Sequence, residues 1–491
     1  MSTASTLDRP ATTPATPPAR HATPSRPTTT DADGGAPTLV GGPLAPVVGA
    51  DVEVPLLGGR CVRYANLDYA ATAPALRAVA ERVERLLPLT GSVHRGAGIP
   101  SRAASTAYEA ARDAVHRSIG GRPDEDVVVL VRNTTDATNL LARSVPAGAG
   151  DVVTLDVEHH ATLLAWRGPA GHRVVPHAPT LAGTIERLEQ ALRARRTALV
   201  AITGASNVTG EVLPIARIAA LAHAHGARVL VDAAQLLPHR SIDLAATGVD
   251  YVAFSGHKLY APYGAGVLAG RRDWLEAAAP YLAGGGAVRD VTLDGTLWAS
   301  GPARHEAGTP NLLGAVAIAE ALHELEDLDA PDGGAATRDA HERALRRRLL
   351  DGLAGVPGVD PLAIWPDAPD AIGVVAFTVE GHEPGLVGAY LSAEHGIGVR
   401  DGRFCAHPLL RRLGTPSGAL RASLGLGSRA EDADRLVAAL RQLVTEGSRH
   451  VYARTASGWA PADDDRDEAA WLARAGLTIG AAGGAAAPCG D

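Results

Sequence analysis

The chain has little cysteine, with three residues in 491, at Cys61, Cys405 and Cys489. Three scattered thiols make no disulfide framework and suit a reducing cytoplasm. No block of Lys and Arg gathers anywhere, and 46 basic against 54 acidic residues leave a formal net charge of −8. Nothing is therefore arranged to neutralise nucleic-acid phosphates. No apolar run approaches the ~20 residues that a membrane helix needs. The N-terminus lacks the apolar core of a signal peptide. There are no internal repeats, and no Cys/His spacing calls for a metal. What is present, 46% hydrophobic and 20% charged residues over 491 positions, describes a soluble globular protein of two or three domains.

The pattern along the chain divides it into four parts. Residues 1–43 are rich in Thr, Pro and Ala and read as a disordered tail, since they cannot bury enough apolar surface to offset ordering entropy. Residues 44–312 alternate short apolar strands with helical segments. The expected strands are 126–131, 151–156, 197–203, 227–232, 250–255 and 264–270, with a helix at 214–226 among the intervening segments. Strands apolar throughout and separated by helices predict an α/β domain with a mostly parallel sheet covered on both faces. A long helix from about Leu313 leads into residues 313–450, where strands at 372–379 and 396–400 and a closing helix predict a smaller α+β domain. Residues 451–491 are Ala/Gly-rich, with one short helix docked through Trp471 and Leu472.

In such a sheet the ligand lies beyond the carboxyl ends of the strands, and the residues that follow those ends form a chemical set. SGHKLY places Ser255, His257 and Lys258 after one strand, and Asp232 ends another, followed by Gln235. Thr134 and Thr135 open a helix after 126–131, His159 and His160 follow 151–156, and Asn207 follows 197–203. A lysine amine, a carboxylate, an imidazole, and hydroxyls at a helix N-terminus suit one cofactor. The amine forms a Schiff base and the carboxylate keeps a pyridinium nitrogen protonated. The imidazole stacks on the ring, and the helix start binds phosphate. GAGVLAG (264–270) reads as a strand rather than a dinucleotide turn opening a helix.

Taken together, ANLDYAATAP, SVHRGAG, VRNTTDATN, EHHATLLAW, SNVTGEVLPI, VDAAQLLPH, FSGHKLYAPYGAGVL, HEAGTPN, VRDGRFCAHPL and RASLGL, in this order, resemble class V, fold-type I pyridoxal-5′-phosphate (PLP) enzymes. The similarity is greatest to the SufS-like group of the cysteine desulfurase/selenocysteine lyase family, from about Tyr64 to about Arg449. That resemblance implies that Lys258 carries PLP, Asp232 pairs its ring nitrogen, Gln235 contacts its ring oxygen and His159 stacks on it. It implies phosphate contacts from Thr134, Thr135, Ser255 and His257, and from Thr309 of the partner subunit of a homodimer. Asn207, Arg400 and Arg421 hold the substrate carboxylate or line its site, while His94 and Arg95 line the entrance.

By the same resemblance Cys405, five residues after Arg400, is the thiol that takes sulfur from L-cysteine as a persulfide, leaving alanine and passing sulfur to a protein acceptor. The chain departs from the family where Arg403 and Phe404 replace a His pair, Asp401 replaces Thr or Ser, and His305 replaces an aromatic. These departures keep a second reading open, an aminotransferase or C–S lyase acting on a specialised amino acid.

Overall fold

The computed structural model describes residues 41–166, 171–330 and 337–477. Most of the 1–43 tail, the end of the C-terminal segment and Cys489 lie outside the described residues. The central sheet has seven strands: β1 (Asp126–Val131), β2 (Asp151–Leu155), β3 (His172–Val175), β4 (Thr197–Thr203), β5 (Arg228–Asp232), β6 (Tyr251–Ser255) and β7 (Gly266–Arg271). Their order is β1-β7-β6-β5-β4-β2-β3. β2 to β6 pair in parallel, whereas β7 runs antiparallel to both β1 and β6. Every residue of β4 is buried, as the TALVAIT run, apolar between its two terminal threonines, requires of a strand covered on both faces.

The sequence reading omitted β3, whose HRVV lies at the sheet edge with His172 and Arg173 half-buried, Val174 exposed and only Val175 buried. An edge strand with one pairing neighbour needs no continuous apolar run.

Two helices aim the site. Asn133 caps α1 (Thr134–Ser144), accepting from Asp136 N at 2.9 Å. α2 (His160–Leu164) starts directly after His159. α3 (Leu312–Asp329), the long helix expected from Leu313, packs on the helix Ile99–Ser118. It leads to α4 (Arg338–Ala354) and a second, antiparallel sheet of β8 (Val359–Pro361), β9 (Val374–Val379), β10 (Arg400–Gly402) and β11 (Ala419–Ser423), in the order β8-β9-β11-β10. α5 (Pro384–His395) and α6 (Ala430–Glu446) cover it.

The expected 396–400 strand is split. Ile397–Gly398 leaves this sheet and pairs in parallel with Ala65–Asn66. Gly396, at φ +63, makes the left-handed turn that ends α5, and a Cβ there would lie 2.5 Å from Val62. Ala65 and Leu67 consequently sit in the C-terminal core, although Ala45 and Val47 of the same lead segment sit in the large one. A two-residue parallel pairing over more than 330 positions leaves no periodic trace in sequence.

Beyond residue 450 the Trp471 helix spans Glu468–Ala473, with the indole Nε1 donating to Glu53 O at 2.7 Å. A hairpin, Tyr452–Thr455 with Gly458–Pro461, had not been expected there and packs on α5. Among the described residues, no helix is long and apolar enough to cross a membrane, and no cluster of His, Cys, Asp or Glu is placed to hold a metal.

Candidate active site

The carboxyl ends of β4, β5 and β6 open into a cavity of about 290 Å³. Thr134, Thr135, His159, Asn207, Asp232, Gln235, Ser255, His257, Lys258, Arg400, Cys405 and Arg421 all line it. A larger cavity, about 410 Å³, lies at α4 around Arg343, Arg346 and Asp370 and contains none of that set. The chemistry, rather than the size, identifies the site.

Asp232 ends β5 and is 4% exposed. Its Oδ2 accepts from Thr162 Oγ1 at 2.7 Å and its Oδ1 from Ala234 N at 3.0 Å. Burial raises its pKa, and these donors together with Lys258 act against that. Thr162 was not singled out from the sequence, although it stands three residues after His159, one turn along α2. Replacing it by the isosteric Val removes a hydrogen bond to a buried carboxylate, worth about 1.5–3 kcal/mol. Thr162→Val is expected to lower kcat/KM about tenfold or more. Loss of kcat/KM at a temperature where the variant is still fully folded assigns the effect to the site, since the lost hydrogen bond also lowers the unfolding midpoint.

Burial holds Lys258 below the usual lysine range, and the Arg421 charge adds to this, while Asp232, Cys405 and Asp68 oppose it. The turn that carries it needs Gly256, where a Cβ would lie 2.8 Å from Ala261 O and 2.9 Å from Ile318. His159 Nδ1 accepts from Ala161 N at 3.0 Å, so the ring proton of its neutral form sits on Nε2. Burial first, and then Lys258, lower its pKa to about 3. The imidazole is therefore neutral throughout the physiological range.

At the other end of the cavity, Thr134 N and Thr134 Oγ1 reach Ser255 Oγ at 2.8 and 2.7 Å. His257 contacts Thr72 Oγ1 at 3.0 Å, with its pKa lowered to about 4, mainly by burial. Gln235 Nε2 donates to Ala70 O at 2.7 Å. An amine, a buried carboxylate, a neutral imidazole and an anion cradle at the start of an eleven-residue helix are the donor set that PLP requires. The residues present therefore fit that cofactor.

Arg421 on β11 is buried, with Nη2 donating to Asp68 Oδ1 at 3.0 Å and Nη1 to Asn207 O at 2.9 Å. Asp68, within ANLDYA, is a second residue that the sequence reading did not single out. A third is Glu158, wholly buried, whose carboxyl is pushed well above the usual range by burial and by the neighbouring Asp232 charge. Its place directly before His159 was the only available signal.

Cys405 is half-buried at φ +52, directly after Phe404 at φ +51. Two consecutive left-handed non-glycine residues are strained, by roughly 1–3 kcal/mol each. The structure holds both. Asn207 Nδ2 donates to Phe404 O at 2.8 Å, His160 N donates to Cys405 O at 2.9 Å, and the Arg421 guanidinium lies 5.2 Å from the centre of the Phe404 ring. Phe404, read from sequence as a departure, is thus buried against Asn207 and Arg421, directly before the thiol.

Three expected site residues are not brought to this cavity by the chain itself. His94 is engaged with Glu109 at 2.9 Å, Arg95 lies against Gly286, and Thr309 is exposed beside the Gly284–Gly286 loop, to which Gly308 N bonds through Gly285 O at 2.8 Å. Cys61 is exposed on a lead-segment strand away from the cavity.

Residues 65–436 match the family described as aminotransferase class-V. The cysteine desulfurase of Klebsiella pneumoniae (strain 342) is 39% identical over 391 residues, covering 77% of this chain and 93% of that protein. The cysteine desulfurase of Dickeya dadantii (strain 3937) is 40% identical over 391 residues, covering 77% and 92%. Two solved structures superpose on the chain. A cysteine desulfurase in its S-sulfonic acid form from Escherichia coli has a TM-score of 0.68 at 33% identity, covering 78% of this chain and 94% of that one. The apo cysteine desulfurase of Thermococcus onnurineus NA1 has a TM-score of 0.71 at 30% identity, with the same coverage.

Proposed function

The chain belongs to the class-V aminotransferase family of PLP-dependent enzymes, and from that premise we propose that it is a cysteine desulfurase. It converts L-cysteine to L-alanine while Cys405 takes up the sulfur as a persulfide. The observation that carries this reading is the placing of the Cys405 loop. Backbone and side-chain contacts from Asn207, His160 and Arg421 hold a half-buried thiol in the same cavity as Lys258 and Asp232.

PLP, when bound, supplies an electron sink for the substrate carbon. Asp232, fixed by Thr162 and Ala234, would pair with the ring nitrogen. Thr134, Thr135, Ser255 and His257 would hold the cofactor's phosphate. Arg421 and Asn207 orient the substrate carboxylate. The Lys258 amine, with its pKa lowered by burial, is free to take the substrate's α-proton. His159 stays neutral and presents its Nε2 proton to the site.

Cys405 must act as thiolate, because the thiol is a weak nucleophile. Its Sγ forms a bond to the substrate sulfur as the Cβ–S bond breaks, and the carbon takes a proton. Overall, L-cysteine plus the Cys405 thiol become L-alanine plus the Cys405 persulfide. The test is to supply L-cysteine and a reductant to the PLP-loaded protein. Alanine matched by sulfide, with persulfide on Cys405 by mass spectrometry, supports the reading, whereas pyruvate transfers the assignment to a C–S lyase.

The working unit is a homodimer in the cytoplasm. Thr309 is exposed, and the neighbouring hairpin Val288–Val291 with Thr296–Trp298 displays Val291, Leu293 and Leu297, of which Leu293 is fully exposed. Such a patch is expected to meet another surface. Leu293→Asp is expected to shift light-scattering mass from dimer toward monomer and to weaken PLP retention, because Thr309 of the second copy is then lost to the phosphate.

A further inference from the structure

The larger cavity at α4, about 410 Å³, has no part in the proposed chemistry, yet its walls are lined with charged groups. Its size suits a small molecule, whose sites span roughly 300–1,000 Å³. Arg343, Arg346, Arg347 and Leu350 recur at i, i+3, i+4 and i+7, so they share one face of α4. A different face, through Leu345, Leu349 and Leu353, is buried in the C-terminal core. The cavity is completed by the segment 363–371 between β8 and β9, and by Glu211 from the loop after β4.

Some of these charges are already paired, since Arg343 meets Asp339 at 2.7 Å and Asp370 at 3.1 Å. Four groups are not. Glu211 is 5% exposed, and its Oε1 accepts from Ile364 N at 2.7 Å, while its Oε2 is buried without a hydrogen-bond partner. Arg346 Nε is likewise buried with no acceptor, although the Glu211 charge lies within its electrostatic reach. Among the described residues, Arg346, Arg347 and Asp351 form no ion pair within 4.0 Å. A buried donor or acceptor left open costs about 1–3 kcal/mol, which a ligand satisfying both would offset. Two open cations and two open carboxylates favour a zwitterion. An inorganic anion would suit the guanidinium groups but be repelled by Glu211 and Asp351.

We propose that this cavity is a second binding site, for a free α-amino acid with an apolar side chain. Arg346 and Arg347 take its carboxylate, Glu211 and Asp351 its ammonium, and Leu350 and Pro366 its side chain. Occupancy is felt in the active site, because Glu211 stands four residues after Asn207. The short loop between them is tied at both ends, with Gly210 N donating to Ser206 O at 3.2 Å and Ile372 N to Gly210 O at 2.9 Å. Asn207 in turn holds Phe404 O and accepts from Arg421. The binding goes beyond the desulfurase reading and does not rest on it; only its kinetic consequence does.

The test is calorimetry on the full-length, PLP-loaded protein after borohydride has fixed the cofactor to the lysine, so that added amino acids cannot exchange onto it. L-leucine and L-phenylalanine are expected to bind once per chain with a Kd of about 1 mM or tighter. N-acetyl-L-leucine lacks the ammonium and L-leucinol lacks the carboxylate. These two probes and inorganic phosphate are expected to bind about tenfold more weakly or not at all. Glu211→Gln keeps the acceptor for Ile364 N, and Arg346→Met keeps the packing of the stem. Each should weaken L-leucine about tenfold or more while the unfolding midpoint stays near that of wild type. In the unreduced enzyme, saturating L-leucine is expected to change the KM for L-cysteine about fivefold or more, and to leave both variants unaffected. Without L-leucine, Arg346→Met should form alanine at the wild-type rate.

No binding of either amino acid, binding that both variants retain, or phosphate binding more tightly than L-leucine would overturn the site. A KM change that persists in the variants would put L-leucine in the substrate cavity, and an unchanged KM in wild type would break the link to Asn207. Either result overturns the coupling. If L-cysteine is not turned over at all, the desulfurase reading fails, while calorimetry still decides the second site.

Discussion

Replacing Lys258 by alanine is expected to reduce alanine formation by about 10³-fold or more, since it removes the group proposed to carry the substrate's α-proton. The cofactor should still bind, because the other groups proposed to hold it, Asp232, the α1 start and Ser255, keep their contacts with one another and with Thr162. Turnover and cofactor content measured on one preparation therefore separate a chemical defect from a loading defect. A rate within tenfold of wild type would place proton transfer on another group. The wild-type pH profile carries the same signature. The amine must be neutral to accept a proton, and burial lowers its pKa, so its acid limb is expected below the ordinary lysine range. Activity should fall as pH drops through that lowered pKa and the amine becomes charged. His159, with a pKa near 3, should contribute no limb near neutrality.

Cys405→Ala is expected to abolish persulfide and to cut alanine formation about 10²-fold or more, as loss of a nucleophile does. The spectrum of bound cofactor should change little, because the contacts that fix Asp232, Thr134 and Ser255 do not involve this side chain. The exposed Cys61 supplies the control, and Cys61→Ala should behave as wild type. Should Cys405→Ala turn over cysteine at the wild-type rate, the thiol is not the sulfur acceptor. Release of pyruvate in that case identifies a C–S lyase. Removing Cys405 also tests the strained Phe404–Cys405 pair. If the contacts from Asn207 and His160 hold the loop as the structure shows, the alanine variant should keep its unfolding midpoint within a few degrees.

Much of this architecture could be read before any coordinates. β1, β4, β5 and β6 appear as apolar runs because each is covered on both faces, and burial of that kind is written residue by residue. The residues just beyond them are legible for the same reason, since strand ends fix where Asp232, Ser255 and Lys258 must emerge. The edge strand β3, the Ala65–Asn66 pairing and the 452–461 hairpin were not legible. They are short stretches with mixed burial and no regular alternation, and the Ala65–Asn66 partner lies more than 330 positions away.

The order and identity of the chemical groups were determined by the sequence alone: a lysine after one strand, a carboxylate ending another, threonines at a helix start, and a lone cysteine in a loop. These are local facts of residue type and spacing. Tertiary structure decided which groups touch. Thr162 reaches Asp232 across 70 positions, Asn207 reaches Phe404 across 197, and Arg421 reaches Asp68 across 353. It also decided that Thr309 and Leu293 face outward. Periodicity records only what a residue's own element buries, whereas these contacts form when separate elements pack, and their distances are set by the whole core.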